Sequence, residues 1–133
     1  MKIALLQINP VVGDLEGNAR LIAEGVRAAG AAGADLAVTP ELALTGYLPR
    51  DLLLHRGFVE QAWEGLKALA AELADAPAAL IGLPEPNDAE DGRPLFNSAA
   101  LVRNGAVDGR FRKSLLPTYD VFDEDRYFEP FRG

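Results

Sequence analysis

The sequence predicts an α/β domain built on a parallel sheet. Two short apolar segments, residues 2–8 and 35–39, flank a stretch with helical periodicity, and this strand, helix, strand order implies parallel strands with a right-handed crossover. The composition agrees, because 133 residues with 49% hydrophobic and 25% charged side chains fit one globular domain with a real core.

The first strand and the helix after it are indicated by their apolar patterns. Residues 2–8 are mostly apolar with β-branched members, so we expect a strand that is buried on both faces. Asp14 can cap the helix that follows, and Gly30 and Gly33 mark its end. The apolar positions of this helix recur at three- and four-residue steps: Leu15, Ala19, Ile22, Val26 and Ala29.

The second strand ends at Pro40, because proline has no ladder donor and restricts the residue before it. Pro49 then starts a short turn or helix. A second amphipathic helix follows, in which Trp63 is interpreted as a packing or surface residue, as is His55 near its start. Its apolar face comprises Phe58, Ala62, Leu66, Leu69, Ala70 and Leu73.

A third strand, residues 78–83, ends at Pro84 and leaves Glu85 just beyond it, where a loop carboxylate is the favoured interpretation. Residues 87–94 are polar and indicate an exposed loop. Residues 96–103 and 106–113 flank Asn104-Gly105, a strong hairpin signal, so an antiparallel pair extends the sheet and ends at Lys113. The final segment mixes four acids with aromatic residues, and we expect a loop that packs down on the domain.

Composition excludes several classes of function. A net charge of −7 argues against a nucleic-acid or anionic-membrane surface, so a small neutral substrate or a protein partner fits better. No run approaches the ~20 apolar residues of a membrane span, and the first residues are interrupted by Pro10 and Gly13 where a signal peptide needs an apolar region. We therefore expect a cytoplasmic protein.

Metal and phosphate sites are disfavoured as well. The sequence has no cysteine, which excludes disulfides and thiolate metal sites, and the single histidine, His55, argues against a histidine-based metal site. Neither GxxxxGK[ST] nor GxGxxG occurs. We therefore expect no metal.

Glu41 is the best placed candidate for chemistry. It follows the carboxyl end of the second strand, the edge of an α/β sheet where ligands bind. The simpler interpretation on position alone is an acidic residue that favours the dipole of a following helix. Lys113, at another strand end, would by itself be a solvated lysine beside Arg110 and Arg112.

Four blocks, in order, resemble the first half of a nitrilase (carbon-nitrogen hydrolase) superfamily domain: QINPVVGDLEGNA, PELALTGYLPRDLLL, FNSAALVRNGAVDGRFRKSLLP and YDVFDEDRYF. Within the superfamily they are most similar to the N-terminal glutaminase domain of the glutamine-dependent NAD synthetase branch. The resemblance implies an α-β-β-α sandwich of which residues 1–133 form an incomplete half. The rest of that domain and the synthetase domain lie outside this chain.

The resemblance also implies the site. Glu41 matches the general base, Lys113 the cation that stabilises the oxyanion, and Glu124 the carboxylate that orients this lysine and keeps it charged. Tyr119 matches a residue that contacts glutamine, and Phe122 and Tyr127 are wall candidates with weaker support. The family's cysteine nucleophile lies on a later strand, so residues 1–133 alone are expected to be inactive.

The partners implied are L-glutamine and the rest of the parent chain. The synthetase domain of that parent uses ATP and Mg, while this chain itself is expected to hold no cofactor. A sandwich cut midway exposes a sheet edge and an apolar face, so we also expect the chain to be a homo-oligomer, to be associated with a partner, or to be partly disordered. Two alternatives stay open: a stand-alone nitrilase-family amidase or carbamoyl-hydrolase, and a non-catalytic α/β interaction module.

Overall fold

The structure is a computed structural model that describes residues 1–133. Its strands and helices, in chain order, are β1 (Ile3–Leu5), α1 (Leu15–Ala31), β2 (Leu36–Val38), α2 (Arg56–Glu72), β3 (Ala78–Pro86), β4 (Leu95–Arg103) and β5 (Ala106–Arg112). Short 3-10 helices occupy Arg50–Leu54 and Glu124–Arg126. The five strands form one sheet in sequential order, β1 to β3 parallel and β3 to β5 antiparallel. The predicted α/β class and the antiparallel extension are confirmed.

Both helices cover the same face of this sheet. The core joins Ile22 and Val26 of α1 and Leu66 of α2 to inward strand residues such as Ala37 and Ile81, all fully buried. One helix layer and one sheet layer are present, which is half of the four-layer sandwich that the sequence blocks imply. Neither α1 nor α2 combines the length and the hydropathy that a membrane-spanning helix needs.

The other face of the sheet is apolar and uncovered. Ile3 and Leu5 are 53% and 75% exposed, and Phe111 of β5 is 59% exposed on the same face. The prediction that the first strand is buried on both faces is therefore wrong. Its apolar residues alternate, and only the side chains that face the helices are covered.

Local signals account for the helix start and the hairpin. The side chain of Asp14 accepts the N–H of Gly17 at 3.0 Å, which confirms the predicted cap of α1. Asn104 and Gly105 have φ of +54° and +80°, the pair of left-handed residues that a type I′ turn requires. The Asn-Gly prediction is thus confirmed.

Strand β3 continues through Pro84 to Pro86, beyond the predicted end at residue 83. Beyond Leu80, β3 pairs only with β4 in the sheet, and a strand paired on one side tolerates proline. Glu85 is therefore a strand residue that is 1% exposed, and its interpretation as a loop carboxylate is wrong. Trp63 is buried and donates from Nε1 to the Pro84 carbonyl at 2.8 Å, while His55 is exposed.

Candidate active site

The three charged residues singled out in the sequence meet at one point. Lys113 Nζ donates to both oxygens of Glu41, at 3.0 and 2.9 Å, and lies 3.4 and 3.3 Å from the two oxygens of Glu124. Glu41 lies in the turn after β2, Lys113 follows β5, and Glu124 opens a 3-10 helix. Segments distant in sequence thus place one ammonium between two carboxylates.

Glu41 is positioned by a turn that crosses closely over β3. Leu44 N–H donates to the Gly82 carbonyl at 3.1 Å, and Gly82 N–H donates to Thr39 Oγ1 at 3.0 Å. A Cβ on Gly82 would lie 2.6 Å from the backbone nitrogen of Leu42, so only glycine permits this approach. Leu42 itself is fully buried with φ of +51°, a left-handed conformation that costs a leucine of the order of 1–3 kcal/mol.

Lys113 is held by backbone bonds on both sides. Its N–H donates to the carbonyl of Asn97 in β4 at 2.8 Å, and its own carbonyl accepts the N–H of Phe131 at 3.1 Å. Because side chains alternate along an extended segment, Arg112 lies on the helix side of the sheet and Lys113 on the open side. The amine reaches Glu41 for that reason.

Glu124 is the buried member of the site, with only 2% of its surface exposed. A buried carboxylate needs hydrogen-bond partners, and Glu124 has three. Tyr47 donates its hydroxyl at 3.2 Å, Asn97 donates from Nδ2 at 3.5 Å, and Lys113 supplies the opposite charge. Glu124 therefore serves as a fixed anion behind the lysine.

The protonation states follow from these contacts. Burial alone disfavours the ammonium of Lys113, but the hydrogen bonds and charges of Glu41 and Glu124 outweigh it and raise the pKa of Lys113 above its ordinary value. Burial, and then the charge of Glu124, raises the pKa of Tyr47 to about 12. At neutral pH the site therefore presents a cationic lysine and a neutral phenol that donates a hydrogen bond to Glu124.

Two residues of the site were not singled out from the sequence. Asn97 is 3% exposed and donates from Nδ2 to Glu41 Oε2 at 3.2 Å, so its amide contacts both carboxylates. Tyr47 donates to Glu124. The available signal for Asn97 was a polar pair, Asn97 and Ser98, inside the mostly apolar β4. That signal identifies a site residue only once the pairing of β4 with β3 is known.

A cavity of about 360 Å³ opens onto these charges. Glu41, Lys113 and Glu124 are its only charged lining residues, and the other lining residues are Pro40, Tyr47, Pro117 and Phe122. A groove of about 270 Å³ on the open sheet face reaches the same Glu41 and Lys113. The cavity thus offers a carboxylate base and a cation within 3 Å of each other, with no hydroxyl or thiol nucleophile of Ser, Thr or Cys among its lining residues.

The three aromatic candidates lie in different places. Phe122 lines the cavity, and its ring lies 6.4 Å from that of Tyr47. Tyr119 is 70% exposed and contacts Phe122 edge-on at 5.8 Å, one ring further out. Tyr127 is 9% exposed and donates to Asp51 at 2.6 Å, a hydrogen bond that raises its pKa, and it lies outside the cavity lining. A contact of any of them with substrate stays a prediction.

Comparison with known proteins gives a consistent result. The carbon-nitrogen hydrolase family profile matches residues 2–133. A glutamine-dependent NAD(+) synthetase from Synechocystis sp. is 49% identical over 129 residues, which are 95% of this chain and 23% of that protein. The chain thus spans less than a quarter of that curated relative.

Solved structures show the same fold. Glutamine-dependent NAD+ synthetase from Acinetobacter baumannii superposes with a TM-score of 0.86 at 36% identity, over 98% of this chain and 24% of that one. An amidase from Nesterenkonia sp. gives a TM-score of 0.80 at 29% identity, over 100% of this chain and 49% of the amidase. A variant of that amidase has been solved with the acetamide moiety of fluoroacetamide added covalently at its active-site cysteine.

Proposed function

This chain belongs to the carbon-nitrogen hydrolase family, and from that membership we propose that residues 1–133 form the N-terminal part of a glutamine amidohydrolase domain that supplies ammonia for NAD synthesis. The observation that carries the proposal is the ammonium of Lys113 held between Glu41 and Glu124 at the wall of a cavity. The similarity to glutamine-dependent NAD synthetases over 95% of the chain supports glutamine as the substrate.

In the proposed reaction Glu41 is the general base. A cysteine thiol from outside residues 1–133 gives its proton to Glu41 and attacks the side-chain amide carbon of glutamine. The C–N bond then breaks, and ammonia leaves with the proton that Glu41 returns. Water, deprotonated by Glu41, hydrolyses the thioester and releases glutamate and the thiol. The hydrogen bond from Asn97 fixes the carboxylate for these transfers.

Lys113 stabilises the negative oxygen of each tetrahedral intermediate. A donor already charged and oriented needs no reorganisation during the reaction, and loss of one such donor typically costs ~2.7–4 kcal/mol of transition-state stabilisation. Glu124 and Tyr47 maintain the charged, oriented state of Lys113. The Glu124 carboxylate favours the ammonium form, and the Tyr47 hydroxyl donates a hydrogen bond to that carboxylate. Glu124 is thus a positioning residue for Lys113.

Substrate contacts are proposed for Phe122 in the cavity wall and for Tyr119, whose ring packs edge-on against Phe122. No substrate contact is proposed for the buried Tyr127, because its hydroxyl is bonded to Asp51 outside the cavity lining. The parent enzyme would pass ammonia to a synthetase domain that uses ATP and Mg. The uncovered apolar sheet face would be occupied by the rest of the parent chain, and in the isolated 133-residue chain by a second copy.

Glutamine hydrolysis tests the proposal. The chain extended to the length of its synthetase relatives should release glutamate and ammonia from glutamine, and residues 1–133 alone should release none. Glu41→Gln should abolish release, whereas Glu64→Gln, on the exposed side of α2, should leave it unchanged. Release by the 133-residue chain, or an extended protein indifferent to Glu41→Gln, would overturn the proposal.

A stand-alone amidase is the second candidate, and the likeness to the Nesterenkonia amidase over the whole chain favours it. Such an enzyme would hydrolyse simple amides such as acetamide in preference to glutamine, and its gene would encode no ATP-using domain downstream. A non-catalytic interaction module is the third reading, and it predicts an extension without a cysteine on a strand.

A further inference from the structure

We propose that the ion pair between Glu85 and Arg112 positions Lys113, by holding the end of β5 in the one register that puts the lysine on the same side of the sheet as Glu41. Neither Glu85 nor Arg112 lines the cavity of about 360 Å³, and Arg112 borders only the neighbouring groove of about 270 Å³ on the open sheet face. Both act through the strand, and so they are positioning residues.

Glu85 ties three strands together on the helix side of the sheet. Its carboxylate is 1% exposed and accepts Arg112 Nη2 at 2.7 Å and Arg112 Nε at 3.3 Å. Ser98 of β4 donates its hydroxyl at 2.6 Å, and Arg110 approaches at 3.4 Å. The Arg112 guanidinium also lies 4.3 Å from the Phe96 ring centroid, so its direction is well defined.

The hairpin turn alone does not determine this register. Near the turn Val102 pairs with Val107, but the next pair is Leu101 with Gly109, so Asp108 is an extra residue that forms a bulge in β5. A shift of one residue moves every side chain of a strand to the opposite face. Without the bulge, Arg112 would face the open side and Lys113 the helices.

Hydrophobic burial gives β5 little preference between registers. In its sequence, AVDGRFR, only Val107 packs against the core, and the large apolar Phe111 is 59% exposed on the open face. The buried Glu85 supplies the preference, because a carboxylate left buried without its cation is strongly penalised. With Arg112 fixed toward Glu85, the next residue must point toward Glu41.

The amine of Lys113 reports directly on this placement. The sequence contains three lysines, Lys2, Lys67 and Lys113, so lysine labelled with ¹³C at Cε gives three NMR signals, and Lys113→Arg identifies one of them. The groups that face this amine are Glu41 and Glu124, with Tyr47 beside Glu124. A pH titration of the full 133-residue chain therefore measures whether the lysine still lies between its carboxylates.

The charge-neutral double variant Glu85→Gln/Arg112→Met is the principal test. We expect the Lys113 pKa to fall toward the ordinary value of lysine, because the amine loses its position between the carboxylates. Arg112→Lys keeps the charge but loses the two-pronged contact, and it should lower the Lys113 pKa in the same direction. Glu60→Gln removes the exposed ion pair with Arg56 in α2, far from the hairpin, and should leave the titration unchanged.

If Glu85 and Arg112 acted on Lys113 only through their charges, the results would be different. The double variant would then leave the Lys113 pKa unchanged, and Arg112→Met alone would raise it, since a nearby positive charge is removed. Either result overturns the proposal, provided that circular dichroism shows the variant to be folded. If the double variant does not fold, the Lys113 pKa in Arg112→Lys decides between the two explanations. The catalytic meaning rests on the proposed function, but the titration reads the amine itself, so failure to hydrolyse glutamine leaves this result standing.

Discussion

The side-chain amide of Asn97 donates to Glu41 at 3.2 Å, while the backbone carbonyl of the same residue accepts the backbone N–H of Lys113 at 2.8 Å. One buried residue of β4 therefore sets the side chain of the proposed base and the backbone of the proposed cation. The relative position of Glu41 and Lys113 is therefore determined by β4 more than by the loops that carry the two residues.

Replacement of Asn97 by alanine should lower glutamine hydrolysis by the extended enzyme. A displacement of the Glu41 carboxylate by about 1 Å lowers the rate on the order of 10²-fold, and the loss should appear in kcat/KM for glutamate release. Gln61→Ala, on the exposed surface of α2, is the matched amide control. Equal rates for the two variants would contradict a positioning role for Asn97.

Gly82→Ala should destabilise the fold and displace Glu41. The new Cβ would lie 2.6 Å from Leu42 N and 2.7 Å from Pro40 O, and backbone atoms cannot rotate away, so we expect a loss of about 1–3 kcal/mol in the free energy of unfolding. Gly65→Ala in α2 meets no atom within 4 Å and should stabilise the protein by about 1 kcal/mol. Urea denaturation of both variants measures the difference.

Alkaline titration should identify Tyr47. Because the pKa of Tyr47 is raised from 10.0 to about 12, one of the three tyrosines should ionise last by absorbance at 295 nm, and Tyr47→Phe should remove that component. The folded state retains this proton more tightly than the unfolded chain. Its contribution to stability is therefore complete below about pH 10 and disappears as the pH rises from 10 to about 12. A wild-type and Tyr47→Phe difference that is constant over this range would be inconsistent with the prediction.

Acid should weaken the fold through Glu85. Burial alone would raise the pKa of Glu85, but the hydrogen bonds and charges of Arg112, together with Ser98, hold it below the ordinary 4.5. This stabilisation is present above pH 4.5 and is lost as the pH falls through the lower, folded-state value. Glu85→Gln should cost about 1.5–3 kcal/mol at pH 7, because hydrogen bonds to a charged group are lost, and the cost should shrink as the pH falls below 4.5 in thermal or urea melts. A cost independent of pH would show that the carboxylate charge does not contribute.

The open sheet face should drive association. Phe111→Glu places a charge on this face and should shift the 133-residue chain toward monomer in light scattering. Leu54→Glu changes an exposed leucine in the 3-10 helix at Arg50–Leu54 and should not. A wild-type chain that is monomeric at all concentrations would contradict the expected oligomer.

The sequence was sufficient where the signal is local or belongs to a motif. The cap at Asp14 and the Asn104-Gly105 turn are fixed by their own chemistry, and the blocks around Glu41, Lys113 and Glu124 named three residues that the fold brings together. Their catalytic roles stay predictions.

The sequence was insufficient where a residue takes its environment from a distant strand. Asn97 and Glu85 become buried polar groups only because β3 and β4 pair in one register, and a proline after an apolar run hid the continuation of β3. The exposure of Ile3 and Leu5 likewise depends on which face the helices cover. The apolar content of a strand does not show which of its two faces the helices cover.

The cavity is lined by two acidic side chains and one lysine, so its lining residues carry a formal net charge of −1. An uncharged amide enters this field without a Coulombic penalty, but in the proposed reaction it leaves as a third carboxylate formed beside Glu41. Substrate and product therefore differ by one charge at the point of closest contact with the protein. We expect this repulsion to assist the departure of glutamate and to keep product inhibition weak.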